Sequence, residues 1–200
     1  MTSNSKKDFV RKKWWEPKST GILRQYAHIN HGTYHASSLK GFNYTPQHVM
    51  VNSRKGAGEM QVIIIESGNN AGSSDTLEIV YTYRSRRKLE FSLSSAKRIG
   101  FWLQRLRPTT MPNAALAKLF KGSSTHPSIL RSVLKHEQLH DRLIEHPSAE
   151  IRLHIKDHNA KLTYRERIKK LDEHNIAESV EMMEQLIEAL QDQSVIYEPR

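Results

Sequence analysis

The stretch from Met60 to Arg84 constrains the fold more than any other part of the chain. Met60 to Glu66 holds Val62, Ile63, Ile64 and Ile65, an unbroken β-branched run suited to the middle of a sheet. Thr76 to Arg84 alternates, so that Leu77, Ile79, Tyr81 and Tyr83 share one face. Two flanking segments extend the pattern. His48 to Arg54 is short and Val-rich and runs into a Lys55-Gly56-Ala57-Gly58 turn. Arg86 to Leu93 alternates again, with Leu89, Phe91 and Leu93 inward. Gly68 to Ser74 reads as a loop by composition. Ser94 is placed to cap a helix carrying Ile99, Trp102, Leu103 and Leu106 on one stripe, stopped by Pro108. The expectation is an α+β domain over 21–109, a four-stranded antiparallel sheet packed by a helix.

The rest of the chain reads as helical, an all-helical domain over 110–200. Pro112 starts a helix with Leu116, Leu119 and Phe120 that ends at Gly122. His126-Pro127-Ser128 opens a long helix to about Glu145, and His146-Pro147-Ser148 opens another with Ile151 and Ile155 on one face. These two turn-plus-helix units are weakly similar, which fits an α-solenoid or a plain bundle. Thr163 with Glu166, and Asn175 with Glu178, read as capping boxes. The last helix, Ile176 to Gln191, has an apolar stripe and an acidic face of Glu178, Glu181, Glu184 and Glu188. It would dock on its own domain, on a protein partner or on a second copy through residues 176–191.

Charge divides the chain. Residues 1–109 hold 18 Lys+Arg and 7 Asp+Glu, net +11, whereas 110–200 hold 13 and 14, net −1. A segregated basic excess points to a polyanion, most often nucleic acid. Residues 1–20 read as a basic arm, with Lys12 and Lys13 before Trp14 and Trp15. Those indoles suit stacking on bases or packing on the protein's own core. Arg84, Arg86, Arg87 and Lys88 crowd one turn, where four cations repel unless an anion lies among them. A charged edge that discourages aggregation accounts for the same residues.

The chain has no cysteine, so disulfides, thiolate zinc sites and cysteine nucleophiles are excluded. No apolar run is long enough to span a membrane, and Met1 to Lys13 lacks a signal-peptide core. An intracellular protein, cytoplasmic or in the nucleoid or nucleus, with no membrane partner, is expected. Walker-type loops, dinucleotide fingerprints and nucleophile elbows are missing.

His136-Glu137-Gln138-Leu139-His140 is HExxH, with His146 six residues further on, and so resembles the zincin active-site helix. That resemblance implies zinc on His136, His140 and His146, with Glu137 as the base, in a minimal metallohydrolase. The alternative is no cofactor and histidines hydrogen-bonded in a helical core. Leu143 stands where metzincins carry glycine, and Asp141 follows the second histidine.

Four strands and a helix in the order of 48–107 resemble the ββββα unit of the PUR and Whirly single-stranded nucleic-acid-binding proteins. The carrying residues run from Gly58 to Glu66 and from Leu89 to Ser95, leading to Phe101-Trp102-Leu103. The resemblance implies that the sheet binds unpaired DNA or RNA through Arg54, Lys55, Tyr81, Tyr83, Arg84, Arg86, Arg87 and Lys88. A structural subunit of a nucleoprotein or viral assembly is the third reading of the same basic arm.

Overall fold

Strands from both halves of the chain join in one antiparallel sheet. The computed structural model describes residues 16–67, 74–85, 87–97, 106–156, 158–168 and 172–196. Among them, β1 is Thr33–His35, β2 Ser38–Lys40, β3 Asn43–Thr45, β4 His48–Asn52, β5 Glu59–Ile65 and β6 Asp75–Arg84. Then follow β7 (Phe91–Ser95), β8 (Arg107–Thr109), β9 (Phe120–Ser124), β10 (Glu150–Lys156) and β11 (Asn159–Ile168). The helices are α1 (Thr20–Ile29), α2 (Ala114–Leu119), α3 (Pro127–Val133), α4 (Glu137–Glu145) and α5 (Glu173–Asp192). The sheet has nine strands in the order β1-β4-β5-β6-β11-β10-β7-β9-β8, and β2 and β3 form a separate hairpin.

This arrangement corrects the expected fold class. The sheet has nine strands rather than four, and the segment beyond residue 110 is not all-helical, because it supplies β9, β10 and β11. The boundary expected at 109/110 is bridged by pairing: Thr109 lies opposite Gly122, and β6 pairs along its whole length with β11. Strands β6 and β7 are not a hairpin, since β11 and β10 lie between them. The Arg84–Lys88 segment is therefore a crossing connection and not a hairpin tip.

Two stretches read as helices are strands for a local reason. In 150–156, Ile151, Leu153 and Ile155 alternate with Arg152, His154 and Lys156; in 159–168, Ala160, Leu162, Tyr164, Glu166 and Ile168 alternate with Lys161, Thr163, Arg165 and Arg167. Period two places the first set of each on the buried face and the second on the opposite face. The pair closes as a tight hairpin, with Lys156 opposite Asn159 and His158 at φ 65° in the turn. The two His-Pro-Ser segments accordingly begin different structures. His126 precedes a helix with Pro127 in its first turn, whereas His146 precedes a strand, so these two segments are not copies of one helical unit.

The long helix expected over 126–145 is two, α3 and α4, and Phe120 leaves α2 directly into β9. Asn113 caps α2 by accepting from the Leu116 N–H at 2.9 Å, and Asp172 caps α5 by accepting from the Asn175 N–H at 2.9 Å. The helix expected from Ser94 falls mostly on 98–105, outside the described residues.

Helices α1, α3 and α5 pack against β4, against β8 and β9, and against β6, and α5 also touches α1, α3 and α4. One continuous core joins them, with Met60, Leu77, Ile79, Tyr81, Leu162 and Tyr164 from the sheet and Ile176, Met183, Ile187 and Leu190 from α5. Its coherence follows from sheet alternation against one amphipathic helix face. Ile63 and Val80, on the opposite face, are buried but lie outside this core.

Candidate functional site

The described residues among those expected to bind nucleic acid do not form one surface. Tyr81 and Tyr83 point into the core, 1% and 7% exposed, and stack on each other with ring centroids 5.6 Å apart. Burial pushes the Tyr83 phenol far up. Neither ring can meet a base, which corrects their expected stacking role. Both lie on the alternating face of β6 that the helices cover.

Arg54 and Lys55 lie in the β4–β5 turn, and α5 holds that turn. The buried Glu184 carboxylate accepts from Ser53 Oγ at 2.8 Å, from the Arg54 N–H at 2.8 Å and from the Lys55 N–H at 3.0 Å. Lys55 Nζ donates to Glu188 Oε1 at 2.9 Å. The acidic face of the last helix thus meets the chain's own turn. Its apolar stripe, including Met182, Met183, Leu186 and Leu190, is buried in the chain's own core. Arg84, Arg87 and Lys88 are exposed. Lys12, Lys13, Trp14, Trp15 and Arg86 lie outside the described residues.

The histidines expected to bind zinc are used separately. His136 precedes α4 and sits 3.8 Å from Asp192 Oδ2. His140 donates from Nδ1 to Asp141 at 3.0 Å and accepts at Nε2 from the Asn113 amide. His146 leaves the end of α4 and donates from Nδ1 to Glu166 Oε2 at 2.8 Å. Glu137 occupies the first turn of α4. Among the described residues, no three His, Cys, Asp or Glu side chains are grouped to hold a metal ion.

Glu166 is the hub of a buried polar cluster. It and Tyr164 extend from the inner face of β11, two residues apart on the strand. The carboxylate accepts from Ser148 Oγ at 2.7 Å and from the Tyr164 hydroxyl, which also lies 3.3 Å from Ser179 Oγ on α5. Burial works to raise the Glu166 carboxyl, but hydrogen bonds from His146, Tyr164 and Ser148 outweigh it and hold it below the usual range. The same bond raises the His146 imidazole against its own desolvation. Burial and the neighbouring carboxylate push the Tyr164 phenol far up.

On the other face of the sheet, the register gathers cations. Arg152, Lys156, Lys161, Arg165 and Arg167 project from β10 and β11 on the side away from the helices, and all are exposed. Arg84 of β6, opposite Asn159, extends the patch, and Lys121 of β9 is exposed opposite Ser94 of β7. Arg165 is held by Glu78 at 2.8 Å, and Arg152 lies 4.0 Å from Glu150. His154 and Lys161 stand directly opposite each other. Six of these seven cations come from the half of the sequence whose net charge is −1, so a count by segment does not reveal them. The alternation of 150–156 and 159–168 was the signal that could have.

Arg165 and Arg167 also border a cavity of about 590 Å³ at the strand ends. Lys97, Lys118, Ser95 and Ser148 line it with Ile65, Leu119 and Glu166. The basic face and the cavity meet at these two arginines. The arrangement suits an extended anion on the face with one uncharged or anionic group in the cavity.

No family model matches the chain, and no curated protein matches it by sequence. Among solved structures, it is similar to the mycobacterial trehalose monomycolate transport factor A, TtfA. The TM-score is 0.57 over 90% of this chain and 97% of that one, at 10% identity. The likeness is one of fold.

Proposed function

We propose that this protein binds nucleic acid, single-stranded DNA or RNA, on the face of the sheet opposite the helices. One observation carries the reading: Arg152, Lys156, Lys161, Arg165 and Arg167 stand exposed together on two paired strands. Lys161, Arg165 and Arg167 follow one another on the same face of β11, on its two-residue alternation. A phosphate chain laid along them is neutralised by these cations and releases its counterions. Side chains two apart on a strand repeat about every 6.6 Å, so Lys161 to Arg167 track roughly 20 Å of an extended backbone. The cavity beyond Arg167 receives a nucleotide at the end of that track.

Because Tyr81 and Tyr83 lie in the core, this binding is dominated by phosphate contacts. It is therefore steeply salt-dependent and weakly selective for sequence. The test is a salt titration of affinity for single-stranded oligonucleotides. Affinity that stays constant as salt rises, or that survives Lys161→Glu with Arg167→Glu, refutes the reading. The similarity to TtfA brings no ligand with it, since it extends to fold alone.

A further inference from the structure

Six large apolar side chains are well exposed among the described residues, and three of them, Leu39, Phe42 and Tyr44, fall on the β2–β3 hairpin. Scattered exposed apolar residues are ordinary, whereas a group on one protrusion marks a contact surface. The hairpin pairs only with itself, and all six of its strand residues are exposed. Leu39 and Tyr44 are cross-strand partners and share a face. Lys40 lies opposite Asn43, which leaves Gly41 and Phe42 as the two-residue turn. Gly41 has φ 62°, as the first central position of a type II′ turn requires, and the turn thrusts Phe42 out at 107% exposure.

A two-stranded hairpin with nothing behind it is marginal in water. Its narrow apolar apex suits insertion into a soft surface better than docking on a flat one. Charge selects the surface. From Thr33 to Asn52 the sequence has no Asp or Glu, and its one Lys or Arg is Lys40, on the hairpin itself. Lys40 sits beside the apex, where it meets headgroups while Phe42 enters the acyl boundary and Tyr44 stays at the interface.

We infer that the β2–β3 hairpin docks this protein on the surface of an anionic lipid bilayer, with Phe42 and Leu39 inserted and Lys40 at the headgroups. This is surface attachment and requires no spanning segment. No helix of the described residues is long and apolar enough to cross a membrane.

The experiment is co-sedimentation of the full chain with vesicles of equal parts phosphatidylcholine and phosphatidylglycerol, and with phosphatidylcholine alone. The expected result is binding to the mixed vesicles, little binding to the neutral ones, and at least about a tenfold loss for Leu39→Ser with Phe42→Ser. Phe42→Trp restores binding in the Leu39→Ser background. Both altered side chains are exposed, so the thermal transition stays in place and loss of binding is not loss of fold. Equal binding by wild type and the double variant overturns the proposal. So does a concentration-dependent dimer that the double variant abolishes, which makes the hairpin a contact between copies. The double variant keeps its oligonucleotide affinity, so the vesicle result and the nucleic-acid result stand or fall separately.

Discussion

His146 donates its Nδ1–H to Glu166 Oε2 across 2.8 Å, joining the end of α4 to the inner face of β11. The third histidine of the HExxHxxxxxH spacing thus anchors a helix to the sheet. The bond also gives the fold a pH window. The imidazole lies above its ordinary 6.5, so its contribution is complete below 6.5 and lost as pH rises through the raised value. The carboxyl lies below its ordinary 4.5, so its contribution is present above 4.5 and lost as pH falls through the lowered value. Both contributions coexist between pH 4.5 and 6.5. Urea midpoints measured against pH are expected to be highest there, and His146→Gln should flatten the decline on the alkaline side.

Glu166→Leu is expected to cost about 3 kcal/mol, since it strips His146, Ser148 and Tyr164 of a common buried acceptor. Chemical denaturation measures it. A loss below about 1 kcal/mol would show that the cluster relaxes around an apolar residue.

Tyr83→Phe has the opposite expectation. The Tyr83 hydroxyl is buried without a hydrogen-bond partner, so removing it should leave stability unchanged or raise it by up to about 1 kcal/mol. Oligonucleotide affinity should not move, because the ring faces the helices. A drop in affinity would return Tyr83 to the binding surface.

Glu184 ties α5 to the β4–β5 turn through Ser53 and two backbone amides. Glu184→Ala should cost about 2–3 kcal/mol. Hydrogen exchange should accelerate at the Arg54 and Lys55 amides more than at β5. Gly56→Ala should be damaging in the same place, since its new methyl would collide with the Tyr81 hydroxyl and press on Ile187. Gly122→Ala meets only the flexible end of Met111, at 2.6 Å, and should cost less. Thermal unfolding of the two variants gives the comparison.

Replacing Lys161 and Arg167 by Glu should lower single-strand affinity at least tenfold and make the salt slope shallower by about 2–4. Arg87→Glu with Lys88→Glu should do less, because neither residue projects from the β10 and β11 strands that carry the cation track. Fluorescence anisotropy across a salt series reads both. A larger loss from the 87/88 pair than from the 161/167 pair would place the binding surface at the 84–88 segment.

Much of the central sheet was legible in the sequence. The β-branched run of 62–65 and the alternation of 77–83 became the adjacent strands β5 and β6, since β-branched composition favours strand in the first and period two exposes only one face in the second. The last helix was legible from its stripe, and its true cap, Asp172, lies a few residues before the expected start. Strands β10 and β11 were obscured by His-Pro-Ser and Thr-x-x-Glu, helix-start signals that are short-range and permissive. Their period-two pattern was present but competed with those signals. The HExxH spacing was legible too, but spacing along a chain does not say which way each ring turns.

By itself, the sequence determined that strands form at 48–52, 59–65 and 75–84, that 176–191 form an amphipathic helix and that any metal site must do without thiolate ligands. Only the tertiary structure decided that β11 and β10 insert between β6 and β7. That insertion is decided by long-range backbone pairing, which leaves little trace in local composition. It turned Tyr81 and Tyr83 into core, gave His146 to Glu166 and gathered the cations of a near-neutral half onto one face. Charge per segment is a property of the chain, whereas a charged surface is a property of strand order and side-chain alternation.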